Sequence, residues 1–479
     1  MILNNDKSYR PPIVAVMGHI DHGKTTLLDK IRSANIAKKE AGGITQHITS
    51  YQTEVNLKSG KKGLITFIDT PGHAAFNNMR IRGAHVTDLV VLVISAVDGV
   101  MAQTKECITQ IKKANLPVII AMNKIDLAES QPEKIKGQLV EQDLVPEEYG
   151  GQVPLVPVSA KTGQGIEELL DLILLHAEIM ELKNETDVPL EAFVIESRLD
   201  KNCGPVASVI IKKGTLKLGD TIYAQNIDGK VKAIINSNGK NITSATPSTP
   251  VEILGFSKTP RAGCVITPVK QEINIETKPD INPSLPVVDS TRLPIVIKTD
   301  VEGTLEALKN SFSDDIQVIY AGVGPVSDHD IFVASAAKAQ IFAFNVPVPR
   351  FIKNLAENEK VAIIESKIIY ELIDNIQAQV LKMLDPTIEE TILGEGKIIA
   401  EFKIDKVRIA GLQVLKGEIT KSDTVHLKRD EKIIKDTKVE GIRQGKNIVD
   451  KIKAGTDCGM TFKPYVDFKL NDVIIAYKK

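Results

Sequence analysis

The sequence predicts an α/β multidomain chain. Its expected order is an α/β domain with a largely parallel sheet, a β-barrel, a small α/β domain, a long connecting helix and a second β-barrel. Three observations predict it. Apolar strand candidates alternate with helical stretches from Ile13 to about Leu182. Short strands punctuated by turns run from Leu190 to about Pro268. KGTLKLGDTIYA (Lys213–Ala224) then aligns with KGEITKSDTVHL (Lys416–Leu427), an internal repeat best explained by two barrels of one design.

The bounds agree with this. A chain of 479 residues is long enough for three or four domains, and 43% apolar residues fill several cores. The formal net charge is −1, so no global basic field announces nucleic acid, and any RNA contact must be local. With 4% aromatics and no Trp, broad stacking platforms for single strands are not expected. Cys107, Cys203, Cys264 and Cys458 form no CxxC pair, which argues against a zinc site or disulfide framework. No signal peptide or bilayer-length apolar run is present, so the expectation is a cytoplasmic monomer without membrane contact.

In the first domain (13–183, after a tail over 1–12) the strand candidates are Ile13–Met17, Leu64–Ile68, Leu89–Ile94, Val118–Met122 and Leu155–Val158. Ligands of such sheets bind beyond strand C-termini, and each motif sits there. Gly18-His19-Ile20-Asp21-His22-Gly23-Lys24-Thr25 fits GxxxxGK[ST], with Thr26 following. Backbone N–H groups and the next helix's N-terminus would cradle phosphates, Lys24 would reach β and γ oxygens, and Thr25 would ligand Mg²⁺. Asp69-Thr70-Pro71-Gly72 follows the second strand. Asp69 would hold Mg²⁺ through water, and Gly72 would leave its N–H for the γ-phosphate. Asn123-Lys124-Ile125-Asp126 and Ser159-Ala160-Lys161 follow the last two strands. A carboxylate at 126 accepts N1–H and the N2 amine, which guanine has and adenine lacks. The Asn123 amide would meet N7, the Lys124 stem would cover the ring, and the 159–161 turn would offer an N–H to O6. Four motifs in this order specify GTP and GDP.

GHIDHGKTT, AGGITQHI, DTPGHAAF, NKID and SAK together resemble the translational GTPases. EAGGITQHITSY (Glu40–Tyr51) narrows the resemblance to bacterial-type translation initiation factor two, and looks like switch I. The resemblance makes Thr45 a second Mg²⁺ ligand, His73 the residue that positions attacking water, and Ile20 with Ile44 the apolar gate before it. Spacing alone leaves His73 equally readable as a surface imidazole. A monovalent cation beside Asp21 is a further implication. His19, His22 and His47 have no metal-like partner set and read as structural or switch residues.

Residues 184–270 then resemble the family's second-domain barrel, and 271–292 read as a polar linker where many relatives carry a longer segment. LPIVIK and AQIFAF predict strands of an α/β third domain (293–362). Gly322-Val323-Gly324 lacks the full dinucleotide fingerprint and reads as a turn. Ile363–Leu384 has helical apolar spacing closed by Asp385-Pro386, so 363–393 reads as either an amphipathic core helix or the family's long connector. In the family the last barrel (394–479) holds the aminoacyl end of initiator tRNA. This chain departs from the family's motifs there: Ala410-Gly411-Leu412, then Arg443-Gln444-Gly445-Lys446 without an aromatic, then Asp457-Cys458-Gly459. Leu412 would bring a bulkier side chain to the pocket for the formyl-methionyl end, while Arg443 and Lys446 keep positive charge.

The resemblance covers the chain after residue 10 and implies a short form without the long N-terminal extension. The implied partners are both ribosomal subunits with their ribosomal RNA, initiator formylmethionyl-tRNA and other initiation factors. The implied activity is GTP hydrolysis switched on by the ribosome. Two rivals stand beside it: another translational GTPase such as an elongation or selenocysteine-delivery factor, and a binding switch in which hydrolysis is incidental. The domain order argues against the first, and His73, Thr45 and Asp69 against the second.

Overall fold

The computed structural model describes residues 8–32, 45–56, 62–72, 76–270, 289, 291–384, 391–404, 407–421, 423–429, 432–445, 447–463 and 468–478. They fall into two compact units, 1–380 and 381–479.

The first unit begins with a six-stranded sheet of order β2-β3-β1-β4-β5-β6. Its strands are β1 (Ile13–Gly18), β2 (Thr49–Asn56), β3 (Lys62–Asp69), β4 (Leu89–Ser95), β5 (Val118–Asn123) and β6 (Leu155–Pro157). All pairs are parallel except β2 with β3. Helices α1 (Lys24–Arg32), α2 (Asn77–Val86), α3 (Ala102–Ala114), α4 (Pro132–Val140) and α5 (Ile166–Ile179) intervene. β1 and β4 are buried at every position because helices cover both faces. The pleat sorts their side chains: Val14 and Val16 pack with Leu27, Leu169 and Ile173, whereas Ala15 and Met17 pack with Cys107, Ile111 and Leu139. The antiparallel edge strand β2 was not expected. Only Tyr51 and Val55 of its side chains are buried in that core, so its mostly polar text carries little strand signal.

A seven-stranded sheet follows, of order β10-β15-β7-β8-β14-β11-β12, and β10 also pairs with β11 to close a barrel. The strands are β7 (Glu191–Asp200), β8 (Gly204–Lys213), β9 (Leu216–Lys217), β10 (Thr221–Ala224), β11 (Ile227–Asn236), β12 (Asn241–Ile242), β13 (Ser244–Ala245), β14 (Pro250–Phe256) and β15 (Val265–Thr267). The short β9 and β13 pair separately.

The third layer is a parallel sheet of order β17-β16-β18-β19. It comprises β16 (Leu293–Thr299), α6 (Glu302–Asn310), β17 (Ile316–Val323), α7 (Asp328–Ala337), β18 (Gln340–Phe344), α8 (Arg350–Asn358) and β19 (Ile363–Ser366), followed by α9 (Ile369–Leu384). Here the expectation of one helix from Ile363 is corrected. Residues 363–366 are a strand paired to β18, with Ile341 opposite Ile363. A short apolar run does not distinguish strand from helix, and the helical period starts only at Ile369.

The second unit is a barrel of order β20-β27-β22-β23-β26-β21-β25, closed by pairing of β20 with β21. Its strands are β20 (Thr391–Ile404), β21 (Val407–Thr420), β22 (Thr424–Arg429), β23 (Lys432–Gln444), β24 (Asn447–Val449), β25 (Lys451–Lys453), β26 (Asp457–Lys463) and β27 (Val473–Lys478). The aligned glycines of the repeat adopt one conformation: Gly214 has φ 74° and Gly417 has φ 69°. A Cβ at either would strike a backbone carbonyl, that of Val188 at 2.7 Å or of Leu393 at 2.0 Å. Only glycine fits that turn in both barrels. Among the described residues, no helix is long and apolar enough to cross a membrane.

Candidate nucleotide site

β1 ends in the loop that leads to α1. Gly18 has φ 148°, and a Cβ there would lie 2.3 Å from the Val93 carbonyl oxygen of β4. Gly23 has φ 86°, and its Cβ would lie 2.4 Å from the Asn123 amide nitrogen. The loop therefore runs close against β4 and β5, with the α1 N-terminus behind it. A cavity of about 340 Å³ opens over this loop.

The cavity gathers most of the residues picked out in the sequence. Ile20, Asp21, Gly23, Lys24, Thr25 and Thr26 line it from the loop, Thr45 and Gly72 from the segments before β2 and after β3, and Asn123, Lys124, Asp126, Ala160 and Lys161 from the far strand ends. Gly18, His19, His22, Asp69 and Ser159 are not among the lining residues. His22 is buried, its Nδ1 3.3 Å from the Val93 carbonyl. Burial lowers its pKa to about 4, so the imidazole is neutral and serves the loop's packing.

Lys24 donates to the His19 carbonyl at 2.6 Å. Burial pulls its pKa down to about 8, against the opposing charge of Asp69. The Thr25 and Thr45 hydroxyls lie 2.6 Å apart, so oxygens from two distant segments converge at one point. Asp69, buried at the end of β3, adds a carboxylate near Lys24. Hydroxyl and carboxylate oxygens are the hard donors Mg²⁺ takes, so this set fits that ion.

At the base end, Asn123 is held by the protein on both sides. Its amide donates to the His22 carbonyl at 2.8 Å and accepts the Ala160 N–H at 2.9 Å. Asn123 thus bolts the loop to the 159–161 turn through one amide hydrogen and its oxygen, and its side chain still lines the cavity. Asp126 accepts a hydrogen bond from Ser159 Oγ at 2.7 Å, which fixes its carboxylate at the cavity edge. Lys124 reaches Asp98 at 3.3 Å. His73 and Ile44 lie outside the described residues.

Sequence reasoning missed several residues here. Arg80 of α2 is fully buried and donates to the Pro71 and Gly72 carbonyls at 3.4 and 3.3 Å, holding the DTPG turn. Gln103 of α3 accepts the Ile20 N–H at 3.1 Å. Tyr370 of α9 lines the cavity, as does Leu127. No local motif marks Arg80, Gln103 or Tyr370, because each is brought in by tertiary packing.

In the second unit, Leu412 lies opposite Cys458 on neighbouring strands, and Gly459 lies opposite both Gly411 and Arg443. Arg443 and Asp457 are exposed. The expectation for Leu412 is corrected: its side chain is 0% exposed and points into the barrel core, as does that of the buried Cys458. A Cβ on Gly396 would sit 2.8 Å from Leu412 Cδ2, so the leucine fills space that glycine leaves. Leu412 therefore acts on any surface pocket only through packing. Lys446 lies outside the described residues.

Comparison with known proteins gives the same picture by segments. Family models match in order: the Elongation factor Tu GTP binding domain over 10–178, Elongation factor G domain 2 over 189–269, and Translation-initiation factor 2 over 270–377. A Halothermothrix orenii protein named Translation initiation factor IF-2 is 43% identical over 500 residues, covering 98% of this chain and 72% of its own length. Proteins of that name from Thermoanaerobacter sp. and Leuconostoc citreum are each 42% identical. They are covered over 72% and 58% of their lengths respectively, with 99% and 98% of this chain aligned. The chain thus spans between about half and three quarters of the curated relatives it matches. The crystal structure of GDP-bound aIF5B from Aeropyrum pernix is similar at a TM-score of 0.50 and 26% identity, over 98% of this chain and 92% of that one. With the cavity's lining, the domain order and these relatives in agreement, the chain belongs to the translation initiation factor IF-2 family of translational GTPases.

Proposed function

We propose that this protein binds initiator formylmethionyl-tRNA, promotes its placement on the small ribosomal subunit and subunit joining, and hydrolyses GTP on the ribosome. The observation that carries this reading is the single cavity where the phosphate loop, Thr45, Gly72 and Asp126 meet, in a chain aligned almost end to end with initiation factors.

Backbone N–H groups of the loop and the start of α1 bind the phosphates. Lys24 exchanges the His19 carbonyl for phosphate oxygens. Thr25 and Thr45 would hold Mg²⁺, with Asp69 contributing through water. Mg²⁺ would supply charge neutralisation for the phosphates. The Gly72 N–H faces the γ-phosphate, and Arg80 fixes that turn from behind. His73 orients the attacking water, with Ile20 and Ile44 gating it. Asp126 reads guanine, with the Lys124 stem over the ring and the Ala160 and Lys161 backbone near O6. Asp21 would help to hold a monovalent cation beside the phosphates. With no arginine identified to stabilise the transition state, hydrolysis is slow until ribosomal RNA engages. Arg443, Lys446 and Asp457 take the tRNA 3′ end, beside Cys458 and Gly459. Other initiation factors share the ribosome with it, in the cytoplasm.

Filter binding with formylated and unformylated methionyl initiator tRNA tests this reading. Retention of the formylated form above elongator tRNA is expected. Equal retention of all tRNAs would refute the initiator assignment.

A further inference from the structure

The nucleotide cavity has one wall that does not come from the GTP-binding domain. Tyr370, in the first turn of α9, lines it together with Asp21 and Thr45. Of three consecutive residues, 45–47, the middle one holds that turn in place, and its neighbours are tied to Thr25 and Asp300. Thr45 bonds Thr25 at the metal-ligand position. Gln46, only 6% exposed, donates its amide to the Lys367 carbonyl at 2.9 Å and accepts the Ile369 N–H at 3.1 Å. Ile369 opens α9, so its N–H has no partner inside the helix, and Gln46 caps it from another domain. His47 lies 3.3 Å from Asp300, just past the end of β16, and Asn345 bonds the same carboxylate. A displacement of Gln46 would therefore disturb the turn that presents Tyr370.

We propose that Tyr370 is a nucleotide-contacting residue supplied by α9, its phenol donating to the ribose–phosphate portion of bound GTP or GDP, and that Gln46 is the residue that positions it. A phenol is a protonated donor at neutral pH, and burial and the charge of Asp21 push the Tyr370 hydroxyl further in that direction. A phenol offers the phosphate side of a nucleotide both a hydrogen bond and a flat apolar cover. Because GTP and GDP share the ribose and the α- and β-phosphates, the contact serves both.

Isothermal titration calorimetry on the full chain tests this with GDP and a non-hydrolysable GTP analogue. Tyr370→Phe keeps the ring and is expected to weaken both nucleotides about two- to tenfold, the size of one net hydrogen bond. Tyr370→Ala is expected to weaken both by about tenfold or more. Gln46→Ala is expected to weaken binding in the wild-type background and to add less than about twofold in the Tyr370→Ala background, because the two residues act as a unit. A melting temperature for each variant separates lost contact from lost fold, and Tyr370→Phe decides the matter if Tyr370→Ala unfolds. Affinities of both Tyr370 variants within about twofold of wild type would overturn the contact. Fully additive effects would overturn the positioning role of Gln46. Failure of the wild-type chain to bind GDP would instead refute the nucleotide site itself.

Discussion

Arg10 and Asp88 form a buried two-pronged ion pair, with N–O distances of 2.6 and 2.8 Å. Asp88 also accepts the Ile13 N–H at 2.9 Å and Lys212 Nζ from the barrel at 2.7 Å. Arg10 reaches Ser248 Oγ at 3.1 Å. One carboxylate thus joins the N-terminal segment, the start of β1 and the barrel. Burial works against its charge, but Arg10 and Lys212 outweigh that and hold its pKa below 3.8.

Asp88→Ala leaves the buried Arg10 and the half-buried Lys212 without their anion, and is expected to cost about 3–5 kcal/mol. Urea unfolding measures it. The wild-type pair should also be pH-sensitive in a definite sense. A carboxylate with a depressed folded pKa stabilises the fold above its unfolded value and loses that contribution as pH falls through the folded one. Melting temperature should therefore drop below about pH 4 in wild type, and less so in the variant. An unchanged unfolding midpoint for Asp88→Ala would remove the hub from this account.

Asp126→Asn is expected to exchange guanine for xanthine preference. Ser159 already orients the carboxylate, so the amide would enter the same position with its oxygen accepting N1–H and its N–H facing the C2 carbonyl that xanthine carries where guanine has its N2 amine. The lost charge-assisted contact should cost about 2–5 kcal/mol in GTP affinity. Competition between GTP and xanthosine triphosphate measures it, and undiminished GTP binding would contradict the assignment.

Glu196 gives a pH prediction of the opposite sign. It is buried where α2, the first barrel and α6 meet. One oxygen accepts the Ser197 and Gly303 N–H groups at 3.0 and 2.9 Å. Burial raises its pKa to about 7, against those N–H groups and the nearby Arg82, while Asp300 adds to the rise. A carboxyl with a raised folded pKa contributes most below its unfolded value of 4.5 and loses that contribution as pH rises toward 7. Glu196→Gln keeps the oxygen that accepts from Gly303. It should flatten stability between about pH 4.5 and 7 and match or exceed wild type at pH 8. Parallel pH profiles for the two proteins would show that Glu196 is ionised throughout.

The phosphate loop and the 69–72, 123–126 and 159–161 turns were legible in sequence because each follows an apolar strand. Buried parallel strands read as continuous apolar runs, and a motif's position after one fixes where it points. β2 was not legible, since an edge strand with one buried face reads as a polar segment. β19 was hidden by merging with the helical period that follows it. Asn123 was located correctly but its bonds to His22 and Ala160 were not foreseeable, because they depend on how three loops pack. Arg10 with Asp88, Arg80 with Gly72, and Gln46 with α9 share that reason: partners far apart in sequence leave no periodicity. Leu412 shows the reverse limit, where a motif alignment gave a position but not which way its side chain faced.

The central claim is a GTPase switched on by the ribosome. Its most direct test is multiple-turnover GTP hydrolysis by the full chain, alone and with ribosomal subunits, messenger RNA and formylmethionyl initiator tRNA. Turnover is expected to be slow alone and to be stimulated roughly a hundredfold or more on ribosomes. His73→Ala should bind GTP as wild type does and lose that stimulation. Equal rates with and without ribosomes, or full stimulation of His73→Ala, would contradict it.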